Sequence, residues 1–404
     1  MPIATGVAKQ LRFKKETTWG LLAGTSGGQL LRRVTSDVDL SKDTYQSQEI
    51  RADYQIADYR HGLRKVAGSI KGELSPGTYA AFVQSGLRRD FTTVAAVTGA
   101  SITIAGSGPT YTVTRAAGSF LTDGFKVGMT FRLTAGSFNA ANINKNLFIV
   151  TLTATVATVI PVNGVALVAE GPIASATASP TGKVTFTPAT GHTNDSYTIE
   201  HWFADIAQSE QFSGCRVGGI DFDLPPSGIA TISSMFMGKD VTTGTVAYFT
   251  APTAATTAGV LAAVNGVLRV AGVTVAIVTG LSIKYDGGMS VGAVVGSNFT
   301  PDVFPGRVNV SGQLSAYFET AALRDLFLNE TTFAISAVFS TGSSATADII
   351  GFTLPACKAG GATKSDGEQG LQLTMPFQAL LNSAGGAGTD SEATTLWIQD
   401  SQAA

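Results

Sequence analysis

The sequence predicts a mainly β protein of two tandem sandwich domains, each with one flanking helix, and a small β domain inserted in the first. Three observations predict it. Glycine (46 residues) and small or β-branched side chains dominate while only 14% of residues are charged, a balance that suits short strands and tight turns. Four pairs of segments match one another within the chain, the mark of a duplication. The spacing of those matches drops abruptly part of the way along, which locates an insertion. A length of 404 residues also exceeds the roughly 250–300 at which one core stops growing, so more than one compact unit is expected.

In chain order, residues 1 to 16 carry Lys9, Arg12, Lys14 and Lys15 but no apolar run of signal-peptide length. No window reaches the ~18 apolar residues of a membrane span, so a soluble, unexported protein without a membrane partner is expected. The run GTSGG (residues 24 to 28) lacks the strand, helix and acidic context of a nucleotide site and reads as a turn. Next comes a dense patch of mixed charge and aromatic side chains: Tyr45, Glu49, Arg51, Asp53, Tyr54, Asp58, Tyr59, Arg60 and Arg64. Tyr and Arg anchor interfaces, which makes these nine the candidate subunit-interface residues. A solvated hairpin with ordinary surface pairs is the other reading, since exposed pairs add little.

The duplication starts after this patch. Val66 to Ser75 (VAGSIKGELS) matches Gly306 to Ser315 (GRVNVSGQLS), with Ile70, Gly72 and Leu74 falling on Val310, Gly312 and Leu314, 240 positions on. Both alternate with period two, as half-buried strands do. Each runs into a helical pattern, SPGTYAAFVQSGLRRDF or SAYFETAALRDLFLNE. Ser75 and Ser315 are the expected N-caps, and Pro76 suits the first helical position. Ser196 to Phe203 (SYTIEHWF) then matches Thr332 to Phe339 (TFAISAVF) at 136 positions, and Cys215 to Gly219 matches Cys357 to Gly361 at 142.

The fall from 240 to 136 leaves about 104 residues in the first copy that the second lacks. The expected division is 1–90 together with 191–245 as the first domain, 91–190 as the insert, and 246–404 as the second domain. Within the insert, alternation in Ala100 to Thr114, a turn at Asp123-Gly124, strands near Phe131, Phe148 to Val159 and Val165 to Val168, and a hairpin at Asn163-Gly164 are predicted. The second copy is expected to open with a hairpin around Asn265-Gly266. Its counterpart of the charged patch, Gly287 to Gly306, is apolar and glycine-rich and reads as a loop that orders only against a neighbour.

Chemistry is sparse along the chain. Two cysteines make no disulfide framework and, at equivalent places in two repeats, read as packing residues; three histidines offer no zinc spacing. No metal or cofactor is expected. Asp221 and Asp223 in the strand IDFDL point to the face opposite Ile220, Phe222 and Leu224, and a shared exposed face does not split two carboxyl pKa values as acid-base catalysis requires. A Walker motif is absent, and the GTSGG run reads as a turn without a strand-to-helix context, so an enzyme is not expected. A formal charge of -2 gives no means of gripping nucleic acid.

Three ordered segments together resemble the major tail tube proteins of siphophages: EIRADYQIADYRHGLRKVAGSIKGELSPGTYAAFVQSGLRRDF, then TIEHWFADIAQSEQFSGCRVGGIDFDLPPSGIATISSMFMGKD, then FPGRVNVSGQLSAYFETAALRDLFLNE. The likeness covers most of the chain outside the insert. It implies tail-tube-type domains of two packed sheets with a flanking helix, a long hairpin reaching to neighbours, and sheets joining around a ring into an inner barrel. Most such proteins have one tube domain and form hexameric rings; two tube domains in one chain imply trimeric, pseudo-hexameric rings stacked into a tube, with homohexameric rings as the alternative. The resemblance further implies a virion (phage tail) component assembled in the host cytoplasm, with tape measure and tail terminator or tip proteins as partners and transient, non-specific passage of double-stranded DNA. The insert would sit on the outer surface. Asp221 and Asp223 would face the lumen, although any solvent-facing sheet would carry them equally well. An adhesin or receptor-binding β protein of the virion or cell surface is the rival reading, because Thr-, Ser- and Gly-rich sandwiches also build those.

Overall fold

A computed structural model describes residues 3–275, 277–368 and 370–404. Strands hold 48% of the chain and helices 4%, so the mainly β class is observed. The first stretch forms β1 (Lys9–Lys15), β2 (Gln29–Leu31), β3 (Thr35–Ser36), β4 (Asp39–Gln46) and β5 (Tyr59–Glu73), then helix α1 (Ala80–Leu87). Six strands follow: β6 (Val97–Ser107), β7 (Thr110–Arg115), β8 (Thr130–Ala135), β9 (Leu147–Leu152), β10 (Val156–Pro161) and β11 (Glu170–Pro180). After β12 (Lys183–Phe186) come β13 (Tyr197–Phe203), β14 (Gln208–Leu224), β15 (Thr231–Gly238) and β16 (Asp240–Gly244). The second half holds β17 (Gly266–Val270), β18 (Val273–Thr274), β19 (Val278–Asp286), β20 (Ser290–Val291), β21 (Val303–Phe304) and β22 (Asn309–Tyr317) before helix α2 (Ala322–Leu328). It ends with β23 (Phe333–Ser340), β24 (Ile349–Ala359), β25 (Thr363–Lys364), β26 (Gln372–Ala379) and β27 (Trp397–Asp400).

Each half is a sandwich whose two sheets share one long strand. In the first, the start of β14 pairs β13 and β16, with β1 beyond β13, and its end pairs β15, which leads to β5 and β4. In the second, β24 pairs β23, with β17 beyond it, and then β26, which leads to β22 and β19. The matched cysteines occupy matched ladder positions, Tyr197 opposite Cys215 and Phe333 opposite Cys357, each followed by a register shift. Both thiols are free and buried, and burial pushes Cys357 up to about 12.

The core lies between the sheets, because alternation sends Ile220, Phe222, Leu224, Ile232, Phe236, Val66 and Ile70 to one side. Helix α1 plugs this core. Phe82 is fully buried against the rings of Phe13, Tyr197 and Phe236 at 4.7, 5.5 and 5.0 Å. Gly86 permits the close approach, since a Cβ there would meet Ile220 Cδ1 at 2.6 Å. Helix α2 buries no residue fully and only leans Leu323 and Leu326 on the core.

Strands β6 to β11 close into a separate barrel in the order β10-β7-β6-β11-β8-β9, around Phe120, Phe125, Phe131 and their neighbours. Although these residues interrupt the first half, the barrel rests on the second. Phe148, Val150 and Val162 pack with Val338 and Ile349, Arg269 donates to the Val150 carbonyl at 2.8 Å, and Arg132 to that of Thr346 at 3.0 Å.

Several local expectations fail for identifiable reasons. Ser75 does not cap α1: Gly77 takes φ +73 and donates its N–H to Asp400 at 2.8 Å, so the helix starts only at Ala80, and the Ser75 hydroxyl instead meets that of Thr78 at 2.7 Å. Pro76 accordingly lies in this turn and not at a first helical position. Ser315 is not a cap either, because the ladder with β26 carries β22 on to Tyr317. Asn163-Gly164 forms a tight turn after β10 with both residues at positive φ, 66 and 67, but the Asn163 amide donates to the Gly342 and Ser344 carbonyls at 2.9 and 3.0 Å, and Val165 to Val168 is no strand, so no hairpin follows. Gly266 opens β17, and the reversal falls at Ala271-Gly272, both at positive φ. Residues 287 to 306 are ordered within their own chain, forming the β20–β21 hairpin seated on the first half.

Candidate assembly interfaces

One sheet runs through both halves. Residues Gly219 to Leu224 of β14 pair residues Leu281 to Asp286 of β19, joining β4-β5-β15-β14 edge to edge with β19-β22-β26-β24. One face of this wall packs on the core. The other carries Ser233, Ser282, Gln313 and Thr374 among charges of both signs, with Asp39, Glu73, Asp221, Asp223 and Asp286 set against Lys65, Lys71 and Lys284.

Asp221 and Asp223 stand together on that open face. Lys284 Nζ lies 3.9 Å from Asp221. Partial burial raises the Asp221 carboxyl above its ordinary value, with Lys284 opposing and Asp286 adding to the shift.

Strands β4 and β5 form the long hairpin that holds the nine candidate interface residues. Its stem is tight: Gly62 lets the Tyr45 ring cross it, where a Cβ would meet that ring at 2.4 Å. Tyr59 packs edge-on to His61 at 5.6 Å. At the tip Arg51 binds Asp53 at 2.8 Å and Arg60 binds Asp58 at 2.7 Å, and these partners hold both carboxyls below their usual range. Such exposed pairs shape the loop more than they stabilise it. Tyr54, at φ 59 and 98% exposed, stands out with Glu49 and the bare Ile50 and Ile56. Eight of the nine therefore point into solvent or pair within the hairpin. Arg64 does not: its guanidinium pairs Asp240 and lies 5.1 Å from the Phe299 ring, and its N–H donates to Asn298 O at 2.8 Å.

Arg64 thus works with Arg216, which sequence reading missed. Buried Arg216 reaches Asp302 at 2.8 Å and the Val303 carbonyl at 2.6 Å, pinning the β20–β21 hairpin to the first half. Nothing local in Cys215-Arg216-Val217 foretells a partner 87 positions away.

Two strand edges of the wall have no partner among the described residues. One is the outer side of β3 and β4, which pair only β5; the other is the outer side of Gly361 to Asp366, where β25 pairs only β26. Exposed edges of this kind are templates for another chain. Beyond them, α2 shows Phe327 and Leu328 to solvent at 38% and 59%.

The model of one family, described as phage tail tube protein, matches residues 6–379. No curated protein matches the chain.

Proposed function

The chain belongs to the phage tail tube protein family, and from this premise we propose that it is the major subunit of a long non-contractile tail, polymerising into stacked rings around the channel that delivers DNA. The observation that carries the reading is the wall: two four-stranded sheets already joined edge to edge within one chain, with a free edge at each end. A ring of three copies then presents the strands that six single-domain subunits would, which supports trimeric rings with pseudo-sixfold symmetry over homohexameric ones.

The open face of the wall would line the lumen. Its hydroxyls, amides and slight acidic excess, Asp221 and Asp223 included, would hydrate the channel and mildly repel phosphate, so that DNA slides without being gripped. The hairpin tip serves stacking. Strand β5 is 15 residues long, about 50 Å at ~3.3 Å per residue, so the tip lies far from the α1 end, and a head-to-tail contact that does not close builds a filament. The barrel of β6 to β11 would decorate the outside, and tape measure and terminator or tip proteins would meet the lumen and the tube ends.

Negative-stain microscopy of the purified full chain over a range of concentrations tests the proposal. Rings or hollow tubes are expected. A particle that stays monomeric at every concentration and binds glycan or a host surface protein would favour the adhesin reading instead.

A further inference from the structure

The barrel is tethered at its base, and the tether borders a cleft. The chain entering the barrel and the chain leaving it are bridged at Thr92 and Val184, whose backbones exchange hydrogen bonds at 2.8 and 2.9 Å. Beside this bridge a cavity of about 390 Å³ opens between barrel residues 121–129, the two connections and the loop of residues 387–392 before β27, a size that takes a small molecule. Two cations line it. Lys126 is buried, and its ammonium donates to the carbonyls of Gly386 and Thr389 at 2.5 and 2.8 Å; an ammonium has three donors, so one is left over. The half-buried Arg89 guanidinium stacks 3.8 Å from the centre of the Phe186 ring and otherwise reaches the Thr92 hydroxyl at a long 3.5 Å. Neither cation forms an ion pair among the described residues. Asp123 also lines the cleft, but Arg115 binds it. Glu392 is the other lining carboxylate, and Asp390 lies exposed outside the lining. The lining thus holds one positive charge in excess. Burial holds both cations below their ordinary pKa, with Glu392 opposing and, at Lys126, Asp390 as well.

We propose that this cleft binds a singly charged acidic sugar, a uronate-type unit of a cell-surface glycan, with the sugar carboxylate held by Arg89 and Lys126. The glycan's place outside the particle rests on the reading above that puts the barrel on the outer surface of a tube.

Three observations support it. A desolvated cation without a counter-charge is costly, and the guanidinium fork matches a carboxylate through two parallel hydrogen bonds. The single excess charge suits a monoanion, whereas a phosphate dianion would be repelled by Glu392. The rest of the lining has the character of a sugar site: Thr93 and Thr122 bring hydroxyls, and the Glu392 carboxylate is an acceptor for ring hydroxyls. Val94 and Leu121 add partly buried apolar surface for the C–H face of a ring.

Calorimetric titration of the full chain with sodium glucuronate tests this, with glucose, acetate and inorganic phosphate as controls. Glucuronate should bind at least ~10-fold more tightly than each control, and Arg89→Gln should weaken it at least ~10-fold. Because Arg89 also packs on Phe186, Glu392→Gln is the second variant: with the repulsion gone, phosphate should bind at least ~10-fold more tightly than it does to the unmodified chain. Acetate or phosphate binding as well as glucuronate overturns the sugar and leaves a bare anion site. Glucuronate binding that survives Arg89→Gln, or phosphate binding that ignores Glu392→Gln, overturns the cleft as its place. Tubes that bind no glucuronate overturn the proposal and leave the tube reading standing, whereas a chain that binds glucuronate and never assembles overturns the tube reading and keeps the cleft.

Discussion

Glu200 sits wholly out of solvent, and its charge is offset in two ways. Arg12 Nη1 lies 3.5 Å away, and the N–H groups of Tyr248 and Phe249 donate to the two carboxylate oxygens. Arg12 also donates to the Phe249 carbonyl at 2.9 Å, so the pair clamps the segment that leads from β16 into the second half. Glu200→Ala leaves a buried guanidinium without its counter-charge and two amides without acceptors and should cost about 3–5 kcal/mol, read as a lower urea midpoint. Asp400 makes the opposite case. Burial pushes its carboxyl from 3.8 to about 6, against the pull of the Gly77 and Gln402 N–H groups. A carboxyl that holds its proton more tightly folded than unfolded favours folding at low pH, so this contribution is full below about pH 4, fades through about pH 6 and is absent above. Asp400→Asn keeps an acceptor for those amides and removes the titration. Thermal unfolding of the variant should lose up to roughly 3 kcal/mol of pH dependence in that window; an unchanged pH profile would show that Asp400 is not its source. Neither site was legible in the sequence, where Glu200 is one letter in an alternating strand and Asp400 one acid near the end.

At the scale of elements, the two helices differ in what they bury. Phe82→Ala in α1 empties a fully enclosed site and should cost about 3–5 kcal/mol. Leu328→Ser in α2 touches an exposed side chain, so the subunit's denaturation midpoint should move by no more than ~0.5 kcal/mol, while sedimentation should show weaker polymerisation if α2 meets a neighbour. The hairpin behaves likewise: Tyr54→Ala at its tip should leave subunit stability unchanged and reduce tube length in micrographs. Both helices were readable from apolar spacing, but not their starts. A serine before an apolar run signals a cap only if the backbone between them is helical, and Gly77 and the β22–β26 ladder prevent that. The Asn-Gly pairs misled for a related reason: Asn163 and Gly164 do turn at positive φ, but the chain after them runs on without a returning strand. The charged patch stood out because the rest of the chain carries so little charge. Arg64 was read as part of that patch, yet its partners Asp240 and Phe299 come from distant strands and loops.

For the whole molecule, the matched strands and cysteines were visible because duplication preserves spacing and period-two alternation. What the spacing hid is how the pieces meet: the β14–β19 junction, the barrel lying on the second half, and the two open edges all depend on pairings between segments far apart in sequence. Those edges are a liability in a lone subunit and an asset in a closed ring. The central claim is that one chain supplies two wall segments, so that three chains close the ring. Rotational averaging of end-on views of assembled tubes, with the copy number fixed by mass per ring, measures this directly. The account predicts three copies under a pseudo-sixfold outline; six copies per ring, or tubes in which the hairpin and edges face solvent, would contradict it.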